Sequence, residues 1–129
     1  MTGNFRHISV REDRGILILT IEIARISSYE LAEAMGRELL AAVEGKSAPK
    51  VVVDLSKLTY MSSVGYGPLI TVRSRVRAGG GRLVLCGLSG VVKEVFEATR
   101  LLINPNSPKS LFEFTDTVDQ AIQQLVDGP

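Results

Sequence analysis

The segment VVVDLSKLTYMSSVGYGPL, residues 51–69, determines how the rest of the chain can fold. Its three consecutive valines predict a strand buried on both faces, because such a run offers no polar side to water. After Ser62 and Ser63 comes a glycine-rich step at 65–67, and a helical pattern begins near Pro68. A strand that leads into a helix in this way displays a serine hydroxyl at the carboxyl edge of a sheet, where open parallel sheets usually hold their sites.

The proline at position 68 restricts where that helix can begin. If Ser63 capped a regular helix, Pro68 would lie beyond the first turn, where its ring clashes with the carbonyl four residues earlier. We therefore expect the regular helix to begin close to Gly67 and Ser63 to lie in a loop or an irregular first turn.

Upstream of this segment the sequence predicts a hairpin and one helix. Strands are expected from Ile8 to Val10 and from Gly15 to Ile23, joined by a turn at 13–15. Ser27 and Glu30 have the spacing of a capping box, so a helix is expected to start there. It should stop at Gly45, and its predicted inward stripe is Leu31, Ala34, Met35, Leu39, Ala42 and Val43.

Downstream, strands and helices continue to alternate. The helix after Pro68 is expected to end at the glycines 79–81, with Leu69, Ile70, Val72 and Val76 buried and Arg73, Arg75 and Arg77 towards solvent. The next predicted elements are a strand over 83–86, a helix capped by Ser89, an exposed loop at 104–108, a strand over 111–114 and a helix capped by Thr115 or Thr117. The inward residues expected of these last two helices are Val91, Val92, Val95, Phe96, Val118, Ala121, Ile122 and Leu125.

This alternation predicts the α/β class. The chain of 129 residues has the length of one domain, and we expect a single domain with its core over about residues 8–125. The expected architecture is a mostly parallel sheet with an N-terminal hairpin strand and about four helices, connected by right-handed βα crossovers.

Charge and hydropathy exclude several classes of partner. The 15 basic and 14 acidic residues nearly cancel, so we expect no direct binding to nucleic acid or to an anionic membrane. No apolar run is long enough to cross a bilayer, and the first residues, MTGNFRH, lack the apolar core of a signal peptide. A cytoplasmic protein is the expectation.

The sequence offers little for catalysis, metal binding or a cofactor. Cys86 is the only cysteine and lies in an apolar strand, which indicates a buried reduced thiol, and His7 is the only histidine. A nucleophilic serine needs a neighbouring base, and Ser63 also lacks the glycine two residues earlier that a nucleophile elbow requires. Gly79-Gly80-Gly81 precedes a strand, whereas a phosphate-binding loop follows one. We predict no enzymatic activity, no cofactor and no metal.

The order of elements and the segment DLSKLTYMSSVGYG, residues 54–67, resemble the STAS domain, in particular the single-domain bacterial anti-sigma factor antagonists. That family's hallmark is Asp-Leu-Ser, a hydrophobic spacer, and Asp-Ser-Ser-Gly-Leu-Gly at the opening of a helix, with a later Gly-Gly before the next strand. The resemblance extends over about residues 8–125. Matching positions are Asp54, Leu55, Ser56, Leu58, Met61, Ser63, Gly65, Gly67, Gly80, Gly81, Leu83 and Leu85.

The resemblance implies a partner switch. In that family the first serine of the pair is phosphorylated by an anti-sigma factor that is also an ATP-dependent kinase, and this position corresponds to Ser63, with Ser62 as the alternative acceptor. The unmodified protein would bind the anti-sigma factor, phosphorylation would release it, and a serine phosphatase is a further candidate partner. The partner-binding residues this implies are Tyr60, Ser62, Ser63, Val64, Tyr66, Ala24 and Leu88, with Asp54 orienting the loop.

Several positions depart from the family pattern. Ser62 replaces its aspartate, Val64 replaces its second serine, and Ala24 stands where an acidic residue often ends the second strand. Ser62 and Ser63 also fit simple turn and cap roles, which is what serine most often does before a helix. The alternative function is a STAS scaffold or small-ligand module that is not phosphorylated.

Overall fold

The computed structural model describes residues 5–98 and 112–127 of the chain. Within these ranges strands and helices alternate. The strands are β1 (Ile8–Asp13), β2 (Ile16–Ile21), β3 (Arg25–Ile26), β4 (Lys50–Asp54), β5 (Tyr60–Met61), β6 (Arg82–Cys86) and β7 (Glu113–Thr115), and the helices are α1 (Tyr29–Val43), α2 (Tyr66–Ala78), α3 (Gly90–Ala98) and α4 (Val118–Asp127).

Five of the strands form one sheet in the order β1-β2-β4-β6-β7, in which only the β1–β2 pair is antiparallel. The β1–β2 turn consists of Arg14 and Gly15, both with positive φ, at 55° and 79°. Such a two-residue turn matches the natural twist of a hairpin. The prediction of a mostly parallel sheet with an N-terminal hairpin strand and about four helices is therefore confirmed.

Both faces of the sheet are covered, and the central strand β4 contributes to both cores. Val51 and Val53 belong to the larger core, which also holds residues of α1, α2 and α3, whereas Val52 packs in a smaller core with α4. All three valines are completely buried. The prediction from the valine run is confirmed, because each face of this strand meets helices.

The start of α1 differs by one residue from the prediction. Ser28, not Ser27, is the N-cap, and its Oγ accepts a hydrogen bond from the Leu31 N–H at 3.2 Å. The shift follows from β3, because Arg25 and Ile26 pair with another strand and keep the chain extended up to the cap. The predicted stop at Gly45 is confirmed by a φ of 79°, which favours glycine.

The α2 helix begins at Tyr66, after a 3₁₀ turn over Ser63–Gly65, as the position of Pro68 predicts. Its buried residues are Tyr66, Leu69, Val72 and Val76, and Ile70 is half-buried. The prediction that all three arginines of α2 lie towards solvent is wrong at Arg73. Its guanidinium carbon lies 5.9 Å from the centroid of the Phe112 ring, and burial lowers its pKa.

Two features of the C-terminal elements differ from the prediction: the last strand runs over Glu113–Thr115 rather than 111–114, and one expected core residue is exposed. Val91 is 50% exposed and lies outside the core. Of the two predicted caps of α4, Thr117 is the one observed, and its Oγ1 accepts a hydrogen bond from the Gln120 N–H at 3.1 Å. The loop predicted at 104–108 and the strand residue Leu111 lie outside the described residues.

Candidate functional site

The candidate site lies where β4 leads into α2, at the carboxyl edge of the sheet. After Asp54 the chain turns, forms the two-residue strand β5 and enters the 3₁₀ turn that starts at Ser63. The Ser63 residue is exposed. The residue that the sequence singles out is therefore at the surface, as an acceptor of a transferred group requires.

Main-chain bonds to β3 hold the segment before Ser63 in place. The Ala24 carbonyl accepts hydrogen bonds from the Thr59 N–H at 2.8 Å, the Tyr60 N–H at 3.2 Å and Thr59 Oγ1 at 2.9 Å. Further along, the Ile26 carbonyl accepts from the Ser62 N–H at 2.9 Å. The segment before Ser63 is thus fixed by hydrogen bonds to main-chain carbonyls on one side, and Ala24 contributes through its carbonyl.

The two adjacent serines have different environments. Ser62 is half-buried, and its Oγ is shielded from water without a hydrogen-bond partner in the described structure. Ser62 precedes the 3₁₀ turn and Gly65 precedes α2, and neither residue makes a side-chain capping bond. The cap role that serine most often plays before a helix is absent here, which leaves both hydroxyls uncommitted.

Two residues predicted to contact a partner are part of the core instead. Tyr66 and Leu88 are each only 8% exposed and both belong to the larger core cluster. The Tyr66 ring meets the Phe96 ring edge-on, with centroids 5.0 Å apart, and burial raises the pKa of its hydroxyl. These side chains can support the site from below but offer a partner little surface, which corrects that part of the prediction. Tyr60 and Val64 remain half-buried, and Ala24 is exposed.

Asp54 lies at the end of β4, beneath the loop. Its Oδ1 accepts a hydrogen bond from the Ser56 N–H at 3.0 Å. Cys86 sits beside it on β6, and burial, together with the Asp54 carboxylate, raises the pKa of that thiol to about 12. The buried reduced thiol that the sequence predicts is confirmed.

Charged groups surround the loop in two arrangements. Lys57 Nζ forms an ion pair with Glu22 Oε1 at 2.5 Å, and that hydrogen bond is the main cause that lowers the pKa of the Glu22 carboxyl. Arg25 instead places its guanidinium carbon 4.5 Å from the centroid of the Tyr60 ring. The sequence reasoning missed Arg25, because its position beside β5 depends on pairing between two strands of two residues each.

A groove of about 340 Å³ runs between α1 and α2, next to Ser63. Sequence reasoning missed this groove, because it forms only where the two helices pack. Gly36 permits their close approach, since a Cβ there would lie 3.0 Å from Pro68 Cβ. Its lining residues are Tyr29, Ala32, Glu33, Gly36, Arg37, Leu40, Val64, Gly67, Pro68 and Thr71.

The single histidine does not approach Ser63 through any described hydrogen bond. His7 Nδ1 lies 2.5 Å from Glu38 Oε2, and the His7 N–H donates to the other carboxylate oxygen at 2.8 Å. Across residues 5–98 and 112–127 we find no cluster of histidine, cysteine and acidic side chains that could hold a metal. In the same ranges, no helix has both the length and the apolar character needed to span a membrane.

Comparison with known proteins identifies the family. The model of the STAS domain family matches residues 7–121. A Bordetella bronchiseptica protein named as an anti-sigma factor antagonist, BtrV, is 42% identical over 71 residues. That match covers 55% of this chain and 60% of the length of BtrV.

Solved structures show the same fold at low sequence identity. An anti-sigma factor antagonist from Mycobacterium paratuberculosis has a TM-score of 0.75 and 20% identity, with 93% of each chain covered. A STAS domain protein from Planctomyces limnophilus has a TM-score of 0.74 and 20% identity, covering 92% of this chain and 96% of the other. The phosphorylated form of the Bacillus cell fate determinant SpoIIAA has a TM-score of 0.62 and 18% identity, covering 91% and 97%.

Proposed function

Because the chain belongs to the STAS domain family, we propose that it is an anti-sigma factor antagonist whose binding is switched by phosphorylation of Ser63. The observation that carries this proposal is the position of Ser63, which is exposed at the carboxyl edge of the sheet and begins a turn that no side chain caps. The name of the relative BtrV supports the antagonist role, and a neighbour of the same fold, SpoIIAA, has been solved in a phosphorylated form. The proposed partners are an anti-sigma factor with serine kinase activity and a serine phosphatase, both in the cytoplasm.

Electrostatics explains how one modification changes binding without unfolding the domain. A phosphoserine brings close to two negative charges, and the N–H groups at the start of a helix accommodate such charge favourably. In an apolar interface with a partner the same charge must be stripped of water, which disfavours the complex. Docking is therefore lost while the fold stays the same.

Ser63 is a better acceptor than Ser62 on structural grounds. A kinase must bring the γ-phosphate of ATP to the attacking hydroxyl, so the hydroxyl has to be reachable from solvent. Ser63 is exposed, whereas Ser62 Oγ is buried and its N–H is bound to the Ile26 carbonyl. Modification of Ser62 would require this segment to leave β3.

Phosphate mapping tests the proposal. The purified protein is incubated with ATP and the kinase-type anti-sigma factor of the same organism, and the phosphorylated residue is identified by mass spectrometry. We expect phosphate on Ser63, loss of the modification in Ser63→Ala, and normal modification in the matched control Ser62→Ala. Phosphate on neither serine would overturn the switch, and phosphate confined to Ser62 would overturn the assignment to Ser63.

The groove between α1 and α2 favours one alternative, a small-ligand module that is not phosphorylated. Its volume of about 340 Å³ falls at the lower end of the range of small-molecule sites. The wall carries Pro68 and Leu40, and the charged residues among its described lining, Glu33 and Arg37, form an ion pair at 3.5 Å. Under this alternative Ser63→Asp leaves partner affinity unchanged, whereas the switch predicts its loss.

A further inference from the structure

The backbone of Arg25 holds this residue beside the segment that leads to Ser63. It pairs with Tyr60 in the β3–β5 ladder, and the next pair is Ile26 with Met61. The carbonyl of Ala24, one residue before it, accepts three hydrogen bonds from Thr59 and Tyr60. The main chain of Arg25 therefore cannot shift relative to the segment that ends at Ser63 without breaking these bonds.

The side chain of Arg25 has no carboxylate partner among the described residues. Its guanidinium rests on the Tyr60 ring at 4.5 Å and the residue is exposed. Contact with a ring face leaves the N–H groups at the guanidinium edge free to donate. Lys57, the cation on the loop itself, already forms an ion pair with Glu22, in which Nζ lies 2.5 Å from Oε1. Arg25 is thus positioned to receive an anion, and Lys57 is not.

Ser63 lies three residues beyond Tyr60. At about 3.3 Å per residue, the two are separated by at most about 10 Å along the chain. The combined length of an extended arginine side chain and a phosphoserine side chain spans such a separation. The strand pairing therefore brings the guanidinium within reach of a phosphoryl group on Ser63.

We propose that Arg25 binds the phosphoryl group of modified Ser63. This inference rests on the proposed function, because it concerns the modified state of that site. A guanidinium suits this role, since its planar fork donates two parallel hydrogen bonds to phosphate oxygens. A bound cation also favours full ionisation of the phosphate, whose second pKa is about 6 when it is free in solution.

The test does not depend on the kinase. Phosphoserine is incorporated at position 63 of the full chain during translation, and the second pKa of the phosphate is measured by phosphorus NMR titration. We expect Arg25→Gln to raise that pKa by about half a unit or more, since a neighbouring opposite charge favours the ionised form. Arg25→Lys should raise it less, because the charge remains but the paired donors are lost.

Arg75→Gln is the matched control. It removes the same charge from an exposed arginine on α2 that lines a different pocket, with Pro49 and Gly79. We expect its phosphate to titrate as in the unsubstituted chain. The inference is overturned if Arg25→Gln titrates like Arg75→Gln, and if Arg25→Gln fails to fold, the same comparison is made with Arg25→Lys. A failure of the kinase assay would count against the proposed function and leave this titration unaffected.

Discussion

Small residues occupy both ends of α2, but the polar groups at the two ends differ in their hydrogen bonding. At its C-terminal end the N–H groups of Gly79, Gly80 and Gly81 all donate to carbonyls of the helix. At its N-terminal end Ser62 Oγ has no hydrogen-bond partner in the described structure, and no side chain caps the helix. The main-chain N–H groups after the first end are paired, whereas at the second, open end no side chain caps the helix and the Ser62 hydroxyl has no partner among the described residues.

This difference separates an end whose hydrogen bonds serve stability from the end that carries the proposed modification. The hydroxyls that begin α1 and α4, on Ser28 and Thr117, accept hydrogen bonds from their helices. Ser63 occupies a comparable place before α2 but stays at the surface. A hydroxyl that caps a helix is costly to modify, because the cap is lost with it, whereas an uncommitted hydroxyl can accept a phosphate freely.

The largest expected effect distinguishes the packing of the two ends. In Gly81→Ala the new Cβ would lie 2.1 Å from the Pro49 carbonyl oxygen, which is backbone and cannot move aside easily. In Gly65→Ala it would meet the flexible Met61 side chain, at 2.3 Å from the sulfur. We expect Gly81→Ala to lower the free energy of unfolding by about 3 kcal/mol and Gly65→Ala by about 1–2 kcal/mol. Urea unfolding measures both, and equal losses would contradict the contrast.

A charge at the open end should weaken partner binding rather than the fold. We expect Ser63→Asp to reduce affinity for the anti-sigma factor by about 2 kcal/mol or more, about thirtyfold in Kd, because a carboxylate must be desolvated in the interface. Titration calorimetry measures the affinity, and thermal unfolding should be nearly unchanged. The control Ser28→Asp adds the same charge at the start of α1, where we expect normal affinity. Unaltered binding by Ser63→Asp would favour the small-ligand alternative.

Removing each hydroxyl compares a capping serine with an uncommitted one. Ser28→Ala should lower the free energy of unfolding by about 1 kcal/mol, since the Leu31 N–H loses its acceptor. Ser63→Ala should change it by less than about 0.5 kcal/mol, as expected of a surface substitution that removes no described hydrogen bond. Chemical denaturation of the two variants gives the comparison. A cost for Ser63→Ala as large as that for Ser28→Ala would show that the N-terminal end is capped after all.

The smallest expected effect is on the pH dependence of stability and involves the strand β6, which follows the C-terminal end of α2. Arg82, next to Gly81, hydrogen-bonds Glu113, and this bond is the main cause that lowers the pKa of the Glu113 carboxyl in the folded state. The resulting stability is complete above the ordinary carboxyl pKa of about 4.3 and is lost as pH falls through the lowered folded value. Below about pH 4.3 the free energy of unfolding of Glu113→Gln should fall less steeply than that of the unsubstituted protein. The difference between the two should stay under about 1 kcal/mol. Parallel curves for both proteins would contradict this role.

The sequence predicted the features that depend on local pattern. The valine run fixed a strand buried on both faces, and Pro68 correctly indicated that Ser63 lies in an irregular turn ahead of α2. Both predictions follow from constraints acting within a few residues, either the absence of a polar side or a clash with a nearby carbonyl.

Features that depend on long-range pairing could not be predicted in this way. The β3–β5 ladder joins Arg25 to Tyr60 across 35 positions that include a whole helix, and each strand has only two residues. This ladder moves the cap of α1 to Ser28 and places Arg25 beside the site. The sequence analysis places Tyr66 among the residues that contact a partner, but the first turn of α2 directs its ring towards Phe96 in the core.

The thiol of Cys86 gives the chain a practical advantage for measuring its own interactions. It is the single cysteine of the sequence, it is completely buried, and its pKa of about 12 keeps it protonated at neutral pH. Since the thiolate is the reactive form, maleimide reagents should leave it untouched. A fluorophore attached through Ser63→Cys would then be the sole label on the molecule, and its emission would report directly on whether another protein covers that position.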